Sequence, residues 1–298
     1  MTDIMNNLPE NTQIPELHAH VFMDGIDYKE SVARFKNGVD RSAVRAALSE
    51  YQKRGITFVR DGGDHFGACQ YAKSIAAEYG ITYLMPIYAL FREGNYGRVA
   101  GVPYHDLKEY YALILKAKAL GADFIKIMVS GILDFNHFGV VSETNYTLDF
   151  VKELVRIAHD EGFAVMAHAS GADNIRIAAE AGVDSVEHGY YISPDTFDIL
   201  SENQIVWVPT AVTSANLQGT GRFDEYEVSK IAAAHKIAIA EAASRGVLIG
   251  CGSDAGAYAV LHGQGAVEEY SLLSEIIGPE TGSILKSAEQ IIREKFSK

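Results

Sequence analysis

Residues 148–189 read LDFVKELVRIAHDEGFAVMAHASGADNIRIAAEAGVDSVEHG, and their pattern decides the fold. Val151, Leu154, Val155 and Ala158 recur at helical spacing, so 148–160 reads as an amphipathic helix. A glycine closes it, and the apolar run FAVMAHASG follows as a strand. Ile175, Ala178, Ala179 and Gly182 then repeat the helical face, and a second glycine leads into the run DSVEHG. Glycine at those points suits a left-handed helix C-cap. Helix, glycine, strand, given twice in succession, is the signature of βα units in a parallel sheet.

The same junction occurs outward in both directions, in KRGITF, EYGITY, ALGADF and SRGVLI. Eight runs read as strands: PELHAHVF, ITFVRDG, ITYLMPIYAL, DFIKIMVSG, FAVMAHASG, DSVEHG, IVWVPTAV and VLIGCGSDAG. ISPDTF reads as a helix start, with Ser193 as N-cap and Pro194 in the first turn. A last helix is expected over roughly 281–297. Eight βα units in a chain of 298 residues have the size of a (β/α)8 TIM barrel. The alternative is a doubly wound open sheet, but no G-x-G-x-x-G follows the first strand, so dinucleotide binding has no support. No linker or low-complexity stretch divides the chain, and 1–298 is expected to be one domain.

Hydrophobic residues make up 48% of the chain and charged residues 22%, as in globular proteins. The formal charge of -13 argues against nucleic-acid and anionic-membrane partners. Two cysteines, Cys69 and Cys251, do not make a disulfide framework. The opening MTDIMNNLPENTQIP lacks a basic region followed by an apolar stretch, and no run approaches membrane-span length. The expectation is a reduced, cytoplasmic protein with a small-molecule substrate, with a homo-oligomer left open.

Polar residues fall at the strand ends. In ELHAH, His18 and His20 are two apart and share a strand face, with Leu17, Ala19 and Val21 opposite. His168 ends the fifth run, His188 the sixth and Asp254 the eighth. Counting back by twos from Asp254 gives Gly252 and Gly250, expected to leave open space beneath the carboxylate. Lys126 stands between isoleucines in the fourth run, where burial is expensive unless something pairs with it or changes it. One strand-end histidine is usually structural. Four histidines, an aspartate and a lysine at one end of one barrel suit a divalent-metal site, and six groups suit two ions sharing a bridge.

Taken together, HAH, IKI, AHASG, VEHG and SDAG, in this order, resemble the amidohydrolase superfamily of metal-dependent hydrolases. ITFVRDGG and HGQGAVEEYSLL resemble its subgroup of prolidase-like and other amino-acid amidases. The resemblance implies that His18, His20 and Asp254 hold one divalent ion and that His168 and His188 hold a second. It implies that Lys126 is carboxylated on its amine by carbon dioxide or bicarbonate and bridges the two. Zinc is the first expectation, with manganese, iron or cobalt as alternatives. Asp254 is also implied as general base, taking the proton of a hydroxide-forming water between the ions and passing it to the leaving group. The implied reaction is hydrolysis of an amide-type bond in an N-acyl amino acid, a dipeptide or a cyclic amide. The alternatives are an ester, lactone or phosphoester substrate on the same site, or a non-catalytic barrel that binds metal or a metabolite. Many members carry a small β-sandwich built from both chain ends. Here 15 residues precede ELHAH and roughly 45 follow SDAG, so that domain is expected to be missing. SGILDFNHFG stands where the subgroup often has a glycine-rich turn.

Among other residues, His137 on the loop after the fourth strand and Tyr190 after His188 are candidates for substrate contact. Arg92 reads as a loop arginine, and His262 is a candidate for the mouth. His105, His159 and His235 read as surface or packing residues, His65 is undecided, and Asp61 and Asp64 are expected to fix the loop after strand two. Cys251 is expected to face the helices and Trp207 the core.

Overall fold

The computed structural model describes residues 13–142 and 144–297. Residues 1–12, which carry most of the leader reading, lie outside the described residues. The strands are β1 (Glu16–Ala19), β2 (Phe58–Asp61), β3 (Thr82–Leu84), β4 (Ala89–Arg92), β5 (Gly101–Tyr104), β6 (Ile125–Met128), β7 (Val165–Ala169), β8 (Ser185–His188) and β9 (Val206–Val208). They run in the orders β1-β2-β3 and β5-β4-β6-β7-β8-β9, and every ladder is parallel. The fold is therefore α/β with a parallel sheet. The six glycines read as helix C-caps, Gly55, Gly80, Gly121, Gly162, Gly182 and Gly246, all have positive φ. Helix Leu148–Asp160 starts at Thr147, whose side chain accepts from Phe150 N, and buries the four residues of its apolar face. Helix Pro194–Glu202 starts after Ser193, although that side chain makes no capping bond.

Two of the eight expected runs differ from the reading, and one further strand is present. ITYLMPIYAL is split: β3 ends at Leu84, Ile87 takes a left-handed φ of 71°, and β4 begins at Ala89. Pro86 cannot donate to a ladder in this break. Strand β5 was not foreseen. Its GVPY is too short for a clear alternation and contains Pro103, which is tolerated because β5 is an edge strand. The eighth run makes isolated bridges, Trp207 to Ile249 and Ala19 to Ala255, in place of a ladder. Trp207 N donates to Leu248 O at 2.9 Å, and Leu17 N donates to Cys251 O at 3.0 Å. Residues 247–256 therefore lie between β9 and β1.

The core among the described residues has two main parts, with a small third cluster of Ala89, Phe91 and Met128. The larger cluster packs alternate strand residues such as Val59, Ile127, Ala167 and Val186 against helix residues such as Leu154 and Ile175. The smaller one joins Leu17, Phe58, Leu84, Phe124, Met166, Val206 and Val208 to Ala288, Ile292 and Phe296 of helix Thr281–Phe296. Phe58 shares a strand face with Arg60, Phe124 with Lys126 and Met166 with His168. This second cluster is thus the apolar layer on the polar residues' own side of the strands. Leu17 belongs to it, contrary to the alternation expected for ELHAH. The β1–β2 register shifts between Glu16 and Ala19, which turns Leu17 to the same side as His18.

Candidate metal centre

His18 and His20 leave β1 side by side, and Asp254 approaches both. Asp254 Oδ1 is 3.6 Å from His18 Nε2 and 3.6 Å from His20 Nε2. Each of the three offers one ligand atom, and these atoms lie within 4.8 Å of one another. Lys126 Nζ lies 3.0 Å from His18 Nε2. The His188 ring is centred 4.9 Å from that of His18 and 4.6 Å from that of His168. The structure thus brings together the five groups that the sequence placed at strand ends and Lys126, which it placed within a strand.

Local backbone features make this convergence possible. His188 and Asp254 adopt left-handed φ values of 66° and 61°, which aim side chains in directions a regular strand would not allow. A Cβ on Gly62 would collide with the imidazole of His20, so the glycine of RDGG makes room for a candidate ligand. Gly250 and Gly252 do not leave open space, as the sequence reading expected. Their Cβ positions are met by Leu17, Val206 and Val208 and by the backbone nitrogen of His18. Lacking side chains, they let residues 247–256 close directly onto β1 and β9.

The electrostatics suit a metal. Burial pushes the His20 imidazole down to about 3 and that of His168 to about 4. Burial also holds His18 and His188 well below the ordinary histidine range. All four rings are therefore neutral at neutral pH, with a lone pair to offer. Burial lowers the Lys126 amine below the usual lysine range and raises the Asp254 carboxyl above the usual aspartate range. His20 Nδ1 is buried with no hydrogen-bond partner among the described residues. A lysine amine facing an imidazole nitrogen, beside a desolvated carboxyl, is a donor set in want of a cation. The residues fit a divalent ion.

A family model described as "Amidohydrolase family" matches residues 16–277. The chain belongs to the amidohydrolase family. An uncharacterized protein of Mycobacterium tuberculosis is 31% identical over 130 residues, covering 42% of this chain and 35% of the relative. This amidohydrolase therefore spans about a third of the length of that curated relative in the match. Among solved structures, a Xaa-Pro dipeptidase with bound methionine in its active site superposes with a TM-score of 0.75 at 21% identity, over 96% of this chain and 77% of that one. Aspergillus niger ochratoxinase superposes with a TM-score of 0.72 at 21% identity, over 95% of this chain and 71% of that one. These superpositions agree with the amidohydrolase fold.

The two substrate candidates are placed differently. The His137 side chain is 71% exposed, and its Nδ1 pairs with Asp134 at 2.8 Å. Tyr190 is buried, its hydroxyl meets Thr213 Oγ1 at 2.7 Å, and its ring stacks on His235 at 4.0 Å. Of the rest, His262 has both ring nitrogens engaged, by Tyr51 Oη and Met23 O, and it braces the segment after β1. Asp61 accepts from Val21 N, Gly63 N and Tyr83 Oη, and Asp64 accepts from the first backbone amides of helix Ala68–Ile75, so both fix the loop after β2. Cys251 is buried and directs its thiol to Ala266 O on helix Gln264–Ile277, and Trp207 is buried in the core.

Sequence reasoning passed over Arg60, Glu187 and Thr210. Glu187 Oε2 lies 2.6 Å from His18 Nδ1, and Thr210 Oγ1 lies 3.0 Å from His188 Nδ1. Arg60 carried a usable signal: a charged residue in the middle of an apolar strand, as at Lys126. Thr210 carried none, because only its φ of 48° separates it from any strand-end threonine.

Proposed function

We propose that this chain is a hydrolase of carbon–nitrogen bonds that cleaves an amide-type bond in a small molecule on a two-metal site. The observation that carries the reading is the meeting of His18, His20, Lys126, His168, His188 and Asp254 at one end of parallel strands. A single (β/α)8 barrel is the architecture we infer. It is supported by the bonds that run from β9 through 247–256 to β1 and by the bond from Asp123 N to Met85 O at 2.9 Å.

In this reading His18, His20 and Asp254 hold one divalent ion, zinc first, and His168 and His188 hold the second. Lys126 would complete the set of ligands as a carbamate, formed when its amine attacks carbon dioxide and releases a proton. Burial supports this, because it disfavours the ammonium form and so favours the neutral, nucleophilic amine. When bound, the ions polarise the scissile carbonyl and acidify the attacking water. Asp254 would receive the water's proton and deliver it to the leaving nitrogen. The neutral imidazoles add no positive charge to compete with the cations. N-acyl amino acids, dipeptides and cyclic amides are the substrate classes proposed. His137 and Tyr190 are proposed as substrate contacts.

The test is purification with zinc or manganese and bicarbonate, metal analysis, and a panel of N-acyl amino acids, dipeptides, esters, lactones and phosphoesters. Two ions per chain are expected, with amide turnover in the wild type that falls by about two to four orders of magnitude in Asp254→Asn. Less than one ion per chain, or equal turnover by the variant, would sink the reading. Turnover of esters or phosphoesters alone would reassign the substrate class.

A further inference from the structure

Arg60 and Glu187 are both fully buried, and they belong to different strands. Glu187 Oε1 accepts from Arg60 Nη2 at 2.8 Å and from Ser185 Oγ at 2.5 Å. Its other oxygen faces His18 Nδ1 at 2.6 Å. Arg60 Nε donates to Leu17 O at 2.7 Å, and Nη1 donates to Ser185 Oγ at 2.9 Å. The Arg60 guanidinium also lies over the Phe296 ring, 4.6 Å from its centroid. The pair therefore ties β2 and β8 to β1 at the point where β1 shifts register.

A buried ion pair of this kind is weak evidence for stability, because well-packed apolar residues often serve as well or better. The contacts give this one a different task. We propose that Arg60 and Glu187 are a positioning pair for the first ion, setting the tautomer and height of His18. This inference rests on the two-metal reading above. With Arg60 and Ser185 donating to Oε1, Glu187 Oε2 is the acceptor that holds the His18 proton on Nδ1, and Nε2 turns its lone pair toward Lys126 Nζ and Asp254. Arg60 compensates Glu187 and grips the Leu17 carbonyl, which fixes where the imidazole leaves the strand. Strand β8 then serves both ions: Glu187 acts through His18 on the first, and His188 reaches the second. Consecutive strand residues ordinarily face opposite ways. The left-handed φ of 66° at His188 is what brings both to the same side.

The experiment titrates metal-free wild type, Glu187→Gln and the double variant Arg60→Met/Glu187→Met with cobalt(II), against a competing chelator and with the visible absorption of the bound cobalt as readout. Urea unfolding of each metal-free protein runs in parallel. The double variant removes both charges together, so it keeps the test open should Glu187→Gln strand the guanidinium and unfold. The expected result is two binding steps in the wild type. In the double variant one step weakens about 10- to 100-fold with an altered cobalt spectrum, the other is retained, and the urea midpoint stays close to wild type. Unchanged affinity for both steps overturns the inference, and so does loss of folding in the double variant, which makes the pair merely structural. Two weakened steps with a normal midpoint also overturn it, since the effect would then not pass through His18. A wild type that binds no cobalt removes the two-metal reading itself, a failure distinct from the other three.

Discussion

His235 shows what burial does to a titrating side chain outside the six converging groups. It is 2% exposed, its Nε2 donates to Pro209 O at 2.9 Å, and its ring stacks on Tyr190. Burial lowers it from the ordinary 6.5 to about 4. Between those values the unfolded chain binds a proton that the folded chain refuses, so stability rises with pH across that window. The contribution is complete above 6.5 and is lost as pH falls toward 4. His235→Gln removes this dependence. The stability gap between wild type and variant, taken from urea unfolding at pH 7.5 and pH 5, is expected to move by about 2 kcal/mol against the wild type at the lower pH. A gap that does not change with pH would show that His235 is not held neutral.

At the scale of the element, the segment 247–256 is placed by what it lacks. Asp254 N donates to His18 O at 2.7 Å, a contact that requires the chain two residues earlier to lie against β1. A Cβ on Gly252 would stand 2.7 Å from His18 N and 2.7 Å from Val208 Cγ1. The backbone cannot yield without moving the strand. Gly252→Ala is expected to lower stability by about 1–3 kcal/mol through overpacking, and to weaken metal binding by drawing Asp254 away from His18 and His20. Urea unfolding reads the first effect and cobalt titration the second. An alanine variant with wild-type values in both would mean that the close approach is not needed.

For the molecule as a whole, the apolar layer beneath the polar groups is completed by the last helix. Phe296 is buried, meets Phe124 edge-on at 5.3 Å, and supports the Arg60 guanidinium. Residues separated by most of the chain thus share one cluster, from Leu17 to Phe296. Phe296→Ala is expected to cost about 3–5 kcal/mol, because neither the strands nor the helix end can collapse into the space left. The shift in urea midpoint measures it, and a loss below about 1 kcal/mol would show that the helix is peripheral to the core. No helix among the described residues is long and apolar enough to cross a membrane.

The sequence by itself determined the alternation of helix and parallel strand, because period and glycine caps are local properties that residues 148–189 already display. It also determined which histidines and aspartate stand at strand ends, and that a lysine stands inside the fourth strand. Tertiary structure decided the rest. The split third run, the unforeseen β5 and the bridging eighth segment depend on which neighbour offers backbone partners, and no local pattern carries that. Leu17 turned to the polar side because of a register shift that β1 makes only against β2. Gly250 and Gly252 read as empty space and proved to be points of contact, since a missing side chain can serve either purpose until the neighbour is known. Arg60 and Glu187 became legible only when strands 127 residues apart were set side by side. Electrostatic pairing acts over a few ångströms of space, and the order of residues along the chain does not record those distances.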